Sequence, residues 1–213
     1  IENNILSNNT AGYKVYSGFV NRTDSTISIV TGTFTIQPIS TSYTVYTNGI
    51  EHVISAAQTA SITADKTITY VYIDTSGVLQ KSTDIWDIEG GEAPVAIIFK
   101  DGSTYALTDE RHGYDRNRPW HKWAHNNIGA MYRSGLSGTF TNNTLSVTQG
   151  IIADEDLNHD TGRTETVCSL WYRNATTGMR MIRNSSTPYY VSTNLKYDNG
   201  SGTLQDVSLN SYS

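Results

Sequence analysis

The sequence predicts an all-β fold: two antiparallel β-sandwich-like domains joined by an irregular or short helical linker. Short β-branched and aromatic runs alternate with turn-forming residues along the chain, a spacing that is typical of sandwiches and barrels. Apolar residues make up 37% of the 213 residues and charged residues only 16%, a composition that argues against disorder. The length allows one large β domain or two smaller ones, each with its own core.

Four strand pairs are predicted in the first half. In one of them Asn48-Gly49 separates two β-branched runs, and both residues accept the positive φ angles of a tight hairpin turn. Two further hairpins turn at residues 74–77 and at Asp101-Gly102, and another strand pair lies on either side of Gly32. The predicted strands are 26–30 with 33–37, 42–47 with 50–55, 67–73 with 78–82, and 94–100 with 103–108.

One of these strands is predicted to be central. Residues 94–99 (PVAIIF) are apolar at every position. A strand that alternates apolar and polar residues faces water on one side, whereas a continuous apolar run indicates burial on both faces. We therefore expect neighbouring strands on both sides of this segment.

The domain boundary is predicted where the sequence changes character. Residues 109–127 are rich in His, Arg and Trp and show no period-two pattern. Pro119 is well placed to begin a short helix, because proline suits the first helical turn. The expected organisation is a polar arm (1–12), an N-terminal β-sandwich (13–111), a linker (112–128) and a C-terminal β domain (129–213) whose strand pattern still runs at the last residue.

Strand-like runs resume after the predicted linker. They are shorter and more polar than those of the first half, so their bounds rest mainly on β-branched and aromatic content. The late segment combines Asp-Asn-Gly with Ser-Gly, which favours a hairpin. The predicted strands are 130–132, 138–140, 145–148, 166–172 and 189–193, followed by a hairpin over 195–204.

Charge and composition exclude several function classes. The net charge of −5 argues against nucleic-acid binding, which needs clustered Lys and Arg. The basic stretch 111–122 is interrupted by Asp115. No apolar run approaches the ~18 residues of a membrane span, so no membrane insertion is expected. Cys168 is the only cysteine, and no internal disulfide can form.

Several elements of the first half resemble, in their order, a module of tail fibre and baseplate-associated proteins of tailed bacteriophages. The resemblance covers about residues 26–111, and the segments WHKWAHNNIGAMY (120–132) and GIIADED (150–156) are also similar to later parts of such proteins. The elements are Val30-Thr31-Gly32-Thr33-Phe34, Tyr70-Val71-Tyr72-Ile73-Asp74 with Gly77, Ala93-Pro94-Val95-Ala96-Ile97, Asp101-Gly102 and Asp109-Glu110-Arg111.

This resemblance implies a non-enzymatic structural protein of the virion tail. It would be a fibre or a fibre adaptor that supports host attachment, assembled as a homotrimer and in contact with other tail proteins. The alternative is a receptor-binding module for a host cell-surface glycan, because tyrosine and tryptophan stack on sugar rings and the chain has fourteen Tyr and four Trp. An enzyme that degrades such a glycan is a third hypothesis, and the resemblance supplies no catalytic residues for it.

An acidic segment in the second half nearly fits a calcium loop. Asp154, Asp156, Asn158 and Glu165 occupy positions one, three, five and twelve, which supply oxygen ligands in the EF-hand pattern. His159 stands where that loop needs a glycine for its sharp turn. A solvated acidic loop between two strands is the competing interpretation, and calcium binding stays open.

Two histidines have the spacing of zinc ligands. His121 and His125 lie four residues apart, right for two ligands on one helical face. No glutamate follows His121 as in H-E-x-x-H, and no third ligand is evident nearby, although a trimer axis could bring symmetry-related histidines together. We therefore predict no metal and no cofactor, and assign Trp120, Trp123, His121 and His125 to a subunit or domain interface. A large aromatic side chain buries about 150–250 Å² and is costly to leave in water.

A last acidic group surrounds a tryptophan. Asp84, Asp87, Glu89 and Glu92 flank Trp86, and paired carboxylates beside an aromatic ring suit glycoside hydrolysis. Gly90-Gly91 breaks the segment, so an inter-strand loop is the expected structure. The sequence also has no Gly-x-Ser-x-Gly elbow and no phosphate-binding glycine loop, and no enzymatic activity is predicted.

Overall fold

The computed structural model confirms the all-β fold class. It describes residues 16–115, 118–141, 144–161, 169–174, 178–183, 195–198 and 204–207. These residues form antiparallel strands with a short 3-10 helix (Arg22–Asp24) and an α-helix, α1 (Arg118–Asn127). The chain divides into two compact units, Ile1–Met131 with Asp154–Leu157, and Tyr132–Ala153 with Asn158–Ser213.

The first unit contains the four predicted strand pairs, all of which are confirmed. Its sheets have the strand orders β1-β4-β5, β2-β3-β6 and β10-β9-β7-β8. The strands are β1 (Gly18–Phe19), β2 (Ser25–Val30), β3 (Thr33–Pro38), β4 (Tyr43–Thr47), β5 (Ile50–Ile54), β6 (Gln58–Ser61), β7 (Ile68–Ile73), β8 (Leu79–Ser82), β9 (Ala93–Asp101) and β10 (Thr104–Asp109).

The turn between β4 and β5 shows how local chemistry sets the register. Asn48 and Gly49 have φ angles of 50° and 77°, as a two-residue hairpin turn with a right-handed strand twist requires. Thr47 therefore pairs with Ile50, and the pairing continues to Tyr43 opposite Ile54. The prediction made from Asn48-Gly49 is confirmed.

One apolar core holds the first unit together. Its side chains come from alternate positions of β3, β4 and β7, and from nearly every position of β9. Strand β9 lies between β7 and β10, as its continuous apolar run predicted. The fully or almost fully buried members include Phe19, Phe34, Ile36, Tyr43, Val45, Ile62, Val71, Ile73, Val95 and Ile98.

The segment after β10 is hydrogen-bonded to the first unit. The Phe19 amide donates to the His112 carbonyl at 2.8 Å, and the Tyr114 amide donates to the Phe19 carbonyl at 3.1 Å. A Cβ on Gly18 would lie 2.8 Å from the His112 carbonyl oxygen, so this close approach requires glycine. The predicted linker (112–128) thus joins the first unit, and the division falls after Met131.

Helix α1 follows this paired segment and confirms the short helix predicted at Pro119. All ten of its residues are described, and the buried ones are His121 and Ala124. Within the described parts of the chain, no helix is long and apolar enough to cross a lipid bilayer.

The strands from Met131 onward pair as a three-stranded sheet, β11-β14-β15, and as three hairpins. The hairpin predicted over 195–204 is confirmed, whereas the predicted strand 189–193, the first part of 166–172 and the predicted arm 1–12 lie outside the described residues. The strands are β11 (Met131–Ser134), β12 (Gly138–Thr141), β13 (Thr144–Val147), β14 (Ile151–Asp154), β15 (Leu157–Asp160), β16 (Ser169–Asn174), β17 (Gly178–Arg183), β18 (Leu195–Asp198) and β19 (Leu204–Val207).

Candidate metal centre

Four buried or half-buried polar side chains meet beyond the end of β10 in the first unit. One histidine follows β10, two belong to α1, and a glutamate comes from the turn between β14 and β15. One ligand atom from each side chain lies within 4.8 Å of the other three: His112, His121, His125 and Glu155. We call these four residues the histidine cluster.

The two helical histidines face the same way. They lie four residues apart in α1, so they occupy one face of the helix. Their Nε2 atoms are 2.9 Å apart, and their ring centroids are 4.7 Å apart. Ala124 between them is fully buried, which shows that this face points into the unit. The expectation that His121 and His125 share one helical face is confirmed.

His112 is held in one orientation by Asp156. Its Nδ1 lies 2.8 Å from Asp156 Oδ1, and Asp156 Oδ2 accepts the Gly113 amide at 2.9 Å. The opposite ring nitrogen, Nε2, is buried and has no hydrogen-bond partner among the residues that the structure describes. The ring is thus fixed through Nδ1, while Nε2 lies in a buried position without a hydrogen bond.

Glu155 brings a carboxylate into the same place. Its side chain is only 4% exposed, and Oε1 lies 3.7 Å from His121 Nε2 and 3.6 Å from His125 Nε2. Neither carboxylate oxygen has a hydrogen-bond partner in the described part of the chain. The backbone φ of Glu155 is 49°, a left-handed conformation that costs a non-glycine residue energy. The turn therefore presents a buried acid at some conformational cost.

A second carboxylate borders His112. Glu110 Oε2 lies 3.6 Å from His112 Nε2, which is longer than a hydrogen bond. Glu110 and Asp154 form another group of possible metal ligands with the same histidine. His112 is therefore surrounded by acidic groups.

These contacts shift the pKa values of the interacting pair His112 and Asp156. Burial lowers the pKa of His112, but the Asp156 hydrogen bond and the nearby carboxylates outweigh it and raise that pKa to about 10. Burial raises the pKa of Asp156, but hydrogen bonds from His112 and Gly113 outweigh it and lower that pKa to about 2. The pair is an ion pair at neutral pH when no metal is bound.

The other members of the cluster respond mainly to burial. Burial, with the neighbouring imidazoles, lowers the pKa of His121 to about 3 and also lowers the pKa of His125. Burial raises the pKa of Glu155 to about 7, although His112 opposes the rise. Both helical histidines are thus neutral at neutral pH, and neutral imidazole is the form that binds metals.

The donor set suits a first-row transition metal. Three imidazole nitrogens and one carboxylate oxygen are ligands that zinc uses at about 2.0–2.2 Å. Two such ligands on one tetrahedral ion lie about 3.4 Å apart, and the observed separations of 2.9, 3.6 and 3.7 Å bracket this value. These three separations suit a common ion, and His112 offers a ring nitrogen within 4.8 Å of the other ligand atoms.

The residues assigned from sequence to an interface divide between two environments. His121 and His125 belong to the histidine cluster of the first unit, and their assignment to an interface stays a prediction. Trp120 and Trp123 are 37% and 53% exposed on the other side of α1. Their location at a subunit or domain interface stays a prediction.

The calcium loop that the sequence left open does not form over residues 154–158. Asp154 ends β14 and Leu157 begins β15, so a tight hairpin replaces the long loop that calcium coordination requires. The Asp156 carboxylate is engaged by His112 and Gly113, and Asn158 lies within β15. Glu165 is outside the described residues. The competing interpretation, an acidic segment between two strands, agrees with this turn, in which the Asp156 side chain is 32% exposed and the Glu155 side chain is buried.

The carboxylates near Trp86 have local structural partners. Asp87 Oδ1 accepts the Gly90 amide at 2.8 Å, and Glu92 Oε2 accepts the Asp87 amide at 2.5 Å. Glu89 pairs with Lys122 of α1 at 2.5 Å. These contacts close a turn, as expected for an inter-strand loop.

His112 and Glu155 were not found from the sequence. For Glu155, the usable signal was its place in the middle of the acidic run 154–156, next to a strand-like segment. That run must turn the chain without a glycine. His112 directly follows Asp109-Glu110-Arg111, where a structural motif ends. Neither signal indicates that the two residues meet.

Comparison with known proteins adds no relative. No family model, no curated protein and no solved structure matches the chain. The cluster is therefore interpreted from its own geometry.

Proposed function

We propose that this chain is a non-enzymatic structural protein of a bacteriophage tail, a fibre or a fibre adaptor that supports host attachment. It works as a homotrimer in contact with other tail proteins. The observation that carries the proposal is the role of the sequence elements that resemble phage tail proteins: each builds the scaffold of the first unit.

Three of these elements form hairpins and core strands. Residues 30–34 make the turn between β2 and β3, in which Thr31 and Gly32 have φ angles of 45° and 82°. Residues 70–74 lie in β7 and its turn, where Asp74 Oδ1 accepts the Ser76 and Val78 amides at 2.8 and 3.1 Å. Residues 93–97 form the buried start of β9. A motif whose members serve packing and turns is what a scaffold module requires.

The last element, Asp109-Glu110-Arg111, ties the sheets together. The Arg111 guanidinium donates to both Asp109 oxygens at 2.8 Å. Its Nη1 donates to the Ser25 carbonyl and hydroxyl at 2.7 Å. A planar guanidinium suits such a fork-like set of acceptors. The arginine thus joins the end of β10 to the start of β2.

Exposed apolar side chains support self-association. Besides Trp123, Tyr132 is 68% exposed and Met131 is 46% exposed. Exposed aromatic side chains favour interaction surfaces, and a trimer offers neighbouring subunits to cover them.

The alternative is a receptor-binding module for a host cell-surface glycan. The same exposed aromatic side chains favour it, because Trp123 and Tyr132 can stack on sugar rings. Covering by a neighbouring subunit and binding to a sugar compete for these groups.

Electron microscopy tests the structural role directly. Antibodies against the chain are applied to virus particles released by cells that carry its gene, with serum depleted on the purified chain as the control. Gold label on the tail is the expected result. Label confined to capsids, or to cell debris without particles, would contradict the proposal.

A glycan array separates the two roles. The purified chain and its Trp120→Ala/Trp123→Ala variant are compared on host surface polysaccharides. A structural component gives no binding that depends on the tryptophans, whereas binding that is lost in the variant favours the receptor-binding alternative.

A further inference from the structure

We propose that His112, His121, His125 and Glu155 bind one divalent transition-metal ion of the zinc class, which docks α1 onto the first β unit. The site goes beyond the structural tail role proposed above, because it assigns a metal and a local purpose to residues that the role does not use.

The first argument is a buried carboxyl group that receives no hydrogen bond. Glu155 is 4% exposed, and across the described residues its two oxygens receive no hydrogen bond. The histidine nitrogens around it are 3.6–4.0 Å from its oxygens, and a buried carboxylate without hydrogen bonds is costly. A cation between Glu155 and the imidazoles gives these carboxylate oxygens a direct partner.

Hydrogen bonding within the cluster does not provide another explanation. One helical histidine can donate to the other across 2.9 Å, and His112 is satisfied at Nδ1 by Asp156. Both contacts leave Glu155 without a hydrogen bond, since the surrounding histidine nitrogens are 3.6–4.0 Å from its oxygens, beyond hydrogen-bond length. Such separations are expected between ligands of a common ion.

The donor types select the metal. Calcium takes 6–8 oxygen ligands, whereas this site offers three imidazole nitrogens and a single carboxylate. Imidazole-rich sites favour zinc and its neighbours in the first transition row. Zn²⁺ accepts tetrahedral coordination by nitrogen and oxygen.

The support around the first ligand is that of a metal site. Metal-bound histidines usually donate their second ring N–H to a carboxylate, which fixes the ring and raises its basicity. Asp156 holds His112 Nδ1 in this way and is itself anchored by the Gly113 amide. Asp156 is therefore a positioning residue.

The site is closed, which indicates a structural ion. Catalytic zinc commonly has three protein ligands and an open position for water. Here four protein ligands converge, and the side chains of His112, His121 and Glu155 are at most 4% exposed. The fourth, His125, is 19% exposed.

The helix explains why an ion is needed. An isolated helix of ten residues is marginal in water, and tertiary packing normally supplies its stability. The only buried apolar residue of α1, all of which is described, is Ala124. The inward face is otherwise made of His121 and His125. A metal ion bound by His121 and His125 and also by His112 and Glu155 would attach α1 to the first unit. Apolar burial of α1 is too small to do so.

The test starts with the complete chain, stripped with a chelator and titrated with Zn²⁺ by calorimetry. We expect one ion per chain, with the same stoichiometry from elemental analysis of reloaded protein. Co²⁺ as a spectroscopic probe should give the intense visible absorption of four-coordinate cobalt. No saturable binding, or the pale spectrum of six-coordinate cobalt, would overturn the proposal.

Variants locate the ion. Glu155→Gln and His125→Gln should each weaken Zn²⁺ binding more than 100-fold, because a direct ligand is lost. Asp156→Asn should weaken it about 10–100-fold, as loss of a supporting carboxylate does. His52→Gln is the matched control, since His52 lies outside the cluster and bonds Thr47 at 2.7 Å. Equal affinity in Glu155→Gln and His52→Gln would contradict the assignment.

Docking of α1 has its own readout. The Trp86 ring centroid lies 6.4 Å from that of His125, so release of the helix should change tryptophan fluorescence. We expect chelator to change this signal and to expose α1 to protease, while far-ultraviolet circular dichroism keeps its strand signature. If a variant loses that strand signature, the cobalt spectrum and the metal stoichiometry of the wild-type chain still test whether the site binds an ion. Zn²⁺ binding without any change at α1 would refute the docking role.

Discussion

The apolar core of the first unit and the polar junction beside it both bury side chains, but different interactions stabilise them. By polar junction we mean residues 109–115 and 118–127 with 154–157, some of whose polar side chains are buried. The core is built from side chains such as Val95 and Ile98, which are fully buried and gain about 25 cal/mol per Å² removed from water. The junction buries Arg111, His112 and Glu155, which are stable only with partners.

The difference predicts how each region responds to change. An apolar core tolerates exchanges of similar volume, because dispersion and burial have no strict direction. A buried charge or imidazole depends on particular atoms at particular distances. Conservative substitutions should therefore lower the free energy of unfolding slightly in the core and strongly in the polar junction.

The largest expected effect is removal of core volume. Ile98→Ala should lower the free energy of unfolding by about 4 kcal/mol, since Ile98 is fully buried in the central strand. Ile98→Val should cost only about 1 kcal/mol. Chemical denaturation measures both, with Ile50→Ala as control because Ile50 is 54% exposed. If Ile50→Ala and Ile98→Ala lowered the free energy of unfolding by similar amounts, burial in the core would not explain the effect.

The next effect is loss of the buried guanidinium. Arg111→Met should cost about 3 kcal/mol, because it leaves Asp109 without its main partner. Arg111→Lys keeps the charge but not the fork, and should still cost about 1–2 kcal/mol. Arg22→Met is the control: Arg22 also pairs with Asp109, but its side chain is 37% exposed, and it should lose less than about 1 kcal/mol. If Arg111→Lys left the free energy of unfolding unchanged, the directed hydrogen bonds of the guanidinium would matter less than proposed.

A smaller effect on the isolated chain is expected on the outer side of α1. Trp120→Ala/Trp123→Ala should change the free energy of unfolding by less than about 1 kcal/mol, because both side chains are substantially exposed. Light scattering should nevertheless show loss of the homotrimer, with circular dichroism unchanged. Ile39→Ala, at another exposed apolar position, is the control for assembly. A trimer that persists in the tryptophan variant would contradict the interface prediction.

The smallest effect is a pH dependence from Asp109. Burial raises the pKa of Asp109, but the Arg111 hydrogen bonds and charge outweigh it and hold that pKa below its usual 3.8. The carboxylate therefore contributes stability that is present above pH 3.8 and lost as the pH falls through its folded pKa. Denaturation of chelator-treated protein between pH 5 and pH 3 should show a steeper loss in wild type than in Asp109→Asn. Parallel curves would argue against the ion pair.

Most of the first unit could be predicted because its signals are local. Asn48-Gly49 and Asp101-Gly102 provide backbone angles that few other residues accept, and the apolar run of β9 is buried on both faces. The tight hairpin β14–β15 was not predicted. Its turn residue Glu155 has a φ of 49°, an angle that local rules assign to glycine. Local rules describe relaxed turns, whereas this turn holds its conformation through contacts elsewhere in the first unit.

The sequence by itself determined the all-β class, the strand pairs of the first unit and the helical spacing of His121 and His125. These features depend on residues within a few positions of one another, where propensity and turn geometry act. Only the tertiary structure brought His112 and Glu155 to those histidines. His112 is joined to the next turn residue, Asp156, across 44 positions, and no local periodicity encodes such a meeting. It follows from the pairing of residues 112–114 with Phe19 and the packing of the 154–157 turn within the first unit, which together create the buried cluster.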